Sequence, residues 1–227
     1  MGELRKQIIP DLTNENRLIK TLVLVTVILV GLNIISELLG NPSWQIERLI
    51  KLDYEVNLPT WFSSMVLAIA AYFAYKCSLA VKTIKAGKRM WQLLSLGLLG
   101  MSCDETAQIH EKLGNIINKY FFHQKRFSSA WVVFLGPFIL TAMFIFAFKM
   151  KRYLKGSRRA VKYLLLGFFL YIAGAFLLDM TINFLSSENV KRFYLIESIS
   201  EETCEMFGTI LFIKGLIIHY KLFNEQF

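Results

Sequence analysis

The sequence predicts an all-α, polytopic transmembrane helical bundle, a single domain with about six spans and both termini on the cytoplasmic side. Three observations carry that expectation. The chain is 55% hydrophobic and only 19% charged, with a mean hydropathy of +0.45, whereas soluble domains are about a quarter charged. Its apolar residues fall into runs near the bilayer-crossing length of about 20 residues. Its lysines and arginines gather in alternate connections, as the positive-inside rule requires.

Taken in order, the spans are expected over about 22–39, 59–77, 90–111, 131–148, 161–185 and 194–220. The first comes after a polar stretch that is unlike a cleaved signal peptide. The second opens at Pro59 and Trp61, an aromatic suited to the membrane interface. The third is apolar or small from Leu93 to Cys103, then turns abruptly to Asp104, Glu105 and the polar residues beyond them. The fourth contains Pro137. The sixth opens with acids, in the run IESISEETCEMFG. These spans take up most of the 227 residues, so any function belongs to the bundle or its short loops.

Orientation comes from the basic residues. Arg5, Lys6, Arg17 and Lys20 precede span one. Lys76, Lys82, Lys85, Lys88 and Arg89 connect spans two and three, and seven lysines and arginines from Lys149 to Lys162 connect spans four and five. The opposite connections are poorer, although the one after span three still holds Lys112, Lys119, Lys125 and Arg126. The same rule accounts for the net charge of +9, and no basic module is present to grip a duplex, so no nucleic-acid partner is expected. Cys77, Cys103 and Cys204 lie in or beside spans, and an odd count gives no disulfide framework. The expected location is the inner (plasma) membrane, with the lipid bilayer as partner and a homo-oligomer as an option.

With that topology, acids from four helices reach a similar depth toward the outer face. Glu37 ends span one, Asp104, Glu105 and Glu111 end span three, Asp179 lies in span five, and Glu197, Glu201, Glu202 and Glu205 open span six. At about 100° per residue, Asp104, Gln108 and Glu111 share one stripe of a continuous helix, and the span-six acids fall within about 140° of arc together with Gly208. An ionised carboxylate at membrane depth costs about 2.5 kcal/mol or more, and few lysines or arginines are near enough to pair with this many.

Carboxylates with one imidazole suit a divalent metal ion. The expected ligands are Asp104, His110, Glu111, Glu201 and Glu205, supported by Glu105, Gln108, Asp179, Glu202 and Glu37. The Glu-x-x-His spacing of di-metal helical bundles is absent, as is His-Glu-x-x-His. Glu37, Glu105, Glu197 and Lys112 also suit solvated helix ends, and His123 and His219 read as loop and terminus residues.

Two stretches, SCDETAQIHEK over 102–112 and EETCEMFG over 201–208, resemble a pattern in uncharacterised bacterial polytopic membrane proteins, S-x-D-E-x4-H-E closing one span and E-E-x2-E-M-x-G in the last. The resemblance implies a shared site without an activity. Seven-span lipid amidases related to alkaline ceramidase bind zinc through several histidines, and this chain has only one intramembrane histidine. Three functions fit: a cation transporter or channel, a metal-dependent intramembrane lipid hydrolase, and a regulatory, immunity or defence protein without catalysis.

Overall fold

The computed structural model describes residues 12–41, 43–81, 85–122, 130–154, 158–182 and 190–224. Every regular element among them is helical. The expectations for the basic residues at 5, 6, 82, 125, 126 and 155, for His123 and for the end of span five at 185 fall outside the described residues.

Three helices are long and apolar enough to cross a membrane, over Glu15–Leu38, Leu58–Ala80 and Arg158–Thr181. They match the expected spans one, two and five. The first belongs to α1, Leu12–Leu38. After a short α2, Trp44–Ile50, comes α3, Leu58–Ala80, which starts where its sequence says it must. Asn57 caps it by accepting from the Thr60 amide at 3.1 Å, and Pro59 fills the first turn, where no amide hydrogen is needed.

The other three expected spans are helical but not uniform. The third, expected as continuous over 90–111, is two helices, α4 over Lys85–Ala107 and α5 over Ile109–Phe122. Between them Gln108 takes a left-handed φ of 53°, a conformation that turns the chain out of the right-handed helix and brings a Cβ into close contact with the next carbonyl. The stripe expected to join Asp104, Gln108 and Glu111 therefore does not form. The fourth is α6, Ala130–Phe134, and α7, Gly136–Met150. It is interrupted at Leu135, whose backbone stays in the right-handed region, because Pro137 has no amide hydrogen to donate to the preceding turn. The fifth, α8, Arg158–Ile172, runs through a π-helical turn, Ala173–Leu178, into α9, Asp179–Ile182. The sixth is α10, Val190–Asn224.

Helix α10 is the hub, packing on α8 and its π turn, on α3 and on α1. Its tightest crossing is with α8. A Cβ built on Gly208 would lie 2.7 Å from the Tyr171 nitrogen, and one built on Gly167 would lie 2.5 Å from the Gly208 oxygen. Paired small residues let backbones approach this closely, which is how apolar helices associate in lipid. Hydroxyls join α3 to α4: Ser64 Oγ donates to the Ser102 carbonyl, and Ser102 Oγ to the Ser64 carbonyl, both at 2.8 Å. Lys221 pairs with the buried Glu15, tying the end of α10 to α1. His219 is not a terminus residue in surroundings. It is 1% exposed, with its ring 4.7 Å from that of the buried Trp91.

The interior is an apolar core with polar groups set into it, and large apolar side chains also face outward. Thr26, Asn33, Ser63, Ser78, Ser102 and Thr209 are buried, while Leu24, Ile35, Leu96, Phe138, Phe148 and Phe169 are exposed. Large apolar side chains facing outward in this number suit a lipid surround.

Candidate acidic site

Five stretches of chain meet at one cavity of about 290 Å³. The loop after α2 contributes Asp53 and Glu55, the end of α4 contributes Asp104 and Glu105, and the start of α5 contributes His110 and Glu111. Asp179 comes from α9, and Glu197, Glu201, Glu202 and Glu205 from α10. The lining thus holds ten carboxyl groups and one imidazole, with no lysine or arginine among its described residues.

Each contributor is positioned by a local device. The 51–57 loop is anchored on α1, where buried Asn33 accepts from the Leu52 amide at 3.2 Å, and on itself, where Asn57 Nδ2 donates to the Lys51 carbonyl at 2.6 Å. The break at Gln108 swings His110 back toward Asp104. One Asp104 oxygen accepts from the His110 amide at 3.0 Å, and the other lies 2.5 Å from His110 Nδ1. Trp131 of α6 then stacks edge-on against the His110 ring, with centroids 4.6 Å apart. The π turn carries Asp179 toward α10. Gly174 within that turn lets α10 close in, since a Cβ there would lie 2.8 Å from the Glu201 backbone carbonyl oxygen and 3.1 Å from Glu205 Cγ. Such turns often mark functional sites, because the extra residue re-aims the side chains of the next turn.

Oxygens of Asp179, Glu197 and Glu201 lie within 4.8 Å of one another. Glu197 is 3% exposed; its side chain hydrogen-bonds Glu201, while its Oε1 is buried without a hydrogen-bond partner. An ionised carboxylate only accepts hydrogen bonds, so three such groups facing one another call for a shared proton or a cation.

The expected set is largely brought together. Asp104, His110, Glu111, Glu201 and Glu205, with Glu105, Asp179 and Glu202, all line the cavity. Gln108 lies beside it and hydrogen-bonds Glu55. Glu37 is placed elsewhere, 3.4 Å from Lys51 Nζ. Among the described residues, the carboxylates close enough to share one ion are those of Asp179, Glu197 and Glu201. Glu197 is no solvated helix end. Sequence reasoning also missed Asp53, Glu55 and Tyr171, whose hydroxyl hydrogen-bonds Glu205. A loop acid far in sequence from the helical acids it joins gives no periodic signal, since Glu55 and Glu105 meet only through the fold.

In the loop, burial pushes the Glu55 carboxyl above its usual pKa of 4.5, and the charge of Glu111 adds to this, against the hydrogen bond from Gln108. Burial likewise raises Asp53, against its hydrogen bond to Tyr194. A raised carboxyl pKa means that the folded state holds a proton the unfolded state has released. Stability therefore falls as pH rises from the unfolded value through the folded one, and the loss persists above it. Glu55→Gln is expected to raise the thermal midpoint at neutral pH and to flatten its fall with pH. A differential thermal scan across pH in detergent checks both, with Glu37→Gln as the control outside the cavity.

Helical throughout its described residues, with three helices long and apolar enough to cross a membrane and a carboxylate-rich cavity, the chain fits the class of helical membrane proteins. Residues 18–220 match the family defined by a domain of unknown function (DUF8692), and the chain belongs to that family. No curated protein and no solved structure matches it.

Proposed function

We propose that the chain is a multi-pass protein of the inner (plasma) membrane that binds cations in this acidic cavity, in the outer half of a six-span bundle with both termini cytoplasmic. The convergence of ten carboxyls on a lining with one imidazole and no lysine or arginine among its described residues carries the reading. A divalent metal ion is the cation such a set takes. Carboxylate oxygens are hard ligands that suit calcium, magnesium or manganese, and the Asp179, Glu197 and Glu201 oxygens are near enough to share one ion. Asp104, His110, Glu111 and Glu205 complete its surroundings. Cation transport, with or without a homo-oligomer, is the physiological use the charge pattern favours.

The test is Mn²⁺ binding to purified protein, monitored by loss of the free-ion EPR signal, alongside Mn²⁺ uptake into proteoliposomes. Saturable binding with uptake above empty vesicles is expected. Absence of saturable binding sinks the proposal. Binding without uptake leaves a cation site and discards transport.

One observation favours a second reading, a metal-dependent lipid hydrolase. The Asp104–His110 contact of 2.5 Å is the arrangement in which a carboxylate orients an imidazole as general base, beside carboxylates able to hold a metal that activates water. In this reading, lipid hydrolysis by the wild type disappears in His110→Gln. Hydrolysis that survives the substitution, or is absent from the wild type, removes the reading.

A further inference from the structure

The acidic cavity does not stand alone. A groove of about 470 Å³ runs against it between α4, α7, α8 and α10, and its lining is apolar almost throughout. Four residues, Met101, Ile139, Met143 and Tyr171, line both spaces. One wall therefore changes character along its length. Carboxylates lie on one side of those four residues, and Trp91, Leu98 and Phe146 lie on the other.

A small inorganic cation uses only the first half of that space. The second half can be filled only by hydrocarbon, because a polar group there meets no partner and its desolvation costs several kcal/mol. A molecule that satisfies both halves has a head that is positive, since the described lining of the cavity is acidic without a lysine or arginine, and a tail that is a chain. The Oε1 of Glu197 is buried without a hydrogen-bond partner, although the Glu197 side chain also hydrogen-bonds Glu201, so that oxygen can still accept from a donor in the head. An ammonium carries three donors and a positive charge, which also matches the close oxygens of Asp179 and Glu201. A phosphate head brings negative charge to the same carboxylates.

We infer that the two spaces form one site for a single-chain amphiphile with a primary ammonium head, a long-chain amine, whose head lies among the Asp179, Glu197 and Glu201 carboxylates and whose tail lies in the groove. The inference rests on the cation-binding reading and names the class of ligand for the same site. Metal and amine then compete for one set of oxygens.

The experiment uses the full chain in detergent and a long-chain primary amine brominated along its tail. Bromine quenches nearby tryptophan fluorescence, and Trp91 lines the groove while Trp131 lines the cavity. Mn²⁺ binding is measured on the same preparation. Saturable quenching that Mn²⁺ reverses is expected, and the brominated alcohol of equal chain length should bind at least about tenfold more weakly, for want of the charge. Gly97→Phe fills the groove, since a Cβ at Gly97 meets nothing within 4 Å. This variant should weaken amine binding by about tenfold and leave Mn²⁺ binding unchanged. Ala142→Phe, also in the groove, replaces it if Gly97→Phe loses Mn²⁺ binding through misfolding.

If Mn²⁺ binds but amine and alcohol quench alike and neither responds to Mn²⁺, the inference is overturned while the cation reading stands. If Mn²⁺ fails to bind and the amine still saturates, the metal reading fails and the amine is the ligand. If neither binds, both fall.

Discussion

Replacing Glu201 with glutamine is expected to weaken Mn²⁺ binding by about 30-fold, while Glu37→Gln leaves it unchanged. Glutamine keeps the shape of the side chain and one acceptor but removes the charge. A charged contact of this kind is worth about 2 kcal/mol more than its neutral counterpart, which is roughly the factor given. Glu201 is the centre of the change because it sits within 4.8 Å of both Asp179 and Glu197 and lines the cavity with the remaining acids. Glu37 is an equally acidic helix-end residue, but it is engaged with Lys51 outside the cavity. A general loss of negative charge therefore weakens binding in both variants, whereas a defined site weakens it in one. Equal affinities for wild type and Glu201→Gln, read by Mn²⁺ titration at fixed ionic strength, would falsify the assignment of Glu201 to the site.

Enlarging Gly208 to leucine should cost about 3 kcal/mol or more of stability and abolish cation binding together. A single Cβ at this position already falls 2.7 Å from the Tyr171 nitrogen and 2.9 Å from the Gly167 oxygen, both of them backbone atoms that cannot rotate away. Helices α8 and α10 must then separate. That crossing also sets the distance between Asp179, at the far end of the α8 continuation, and the acids of α10. The expected readout is a lower thermal midpoint in detergent and loss of saturable Mn²⁺ binding. Gly31→Leu is the matched control, because a Cβ there meets nothing within 4 Å. A stable Gly208→Leu protein with wild-type affinity would mean that the close crossing does not hold the site.

The two expected results draw on different parts of what the chain spells out. Three spans were legible as apolar runs, because lipid selects directly for composition and length, and both are written along the sequence. The acids of α10 were legible for a related reason: several carboxylates on one arc of an otherwise apolar helix are expensive unless the helix turns them toward something. The Gly208 face was visible on the same arc. Legibility failed where backbone geometry intervened. A continuous helix over 90–111 placed Gln108 and Glu111 in line with Asp104, but the left-handed Gln108 folds His110 back onto Asp104 instead. Nothing in the residue type of glutamine announces such a break. The fourth span was expected to run continuously through Pro137, but α6 and α7 part at Leu135.

By itself the sequence determined the helical class, three apolar spans of membrane length and the residue types from which an acidic site is built. Only the tertiary structure decided which acids meet. It brought in Asp53 and Glu55 from a loop pinned to Asn33, sent Glu37 to Lys51, and turned Asp179 through a π-helical bend onto Glu197 and Glu201. The division has a physical cause. Burial preference acts on each residue and leaves a periodic trace, whereas proximity between carboxylates depends on helix crossings and turn dihedrals, which are set by contacts distant in sequence.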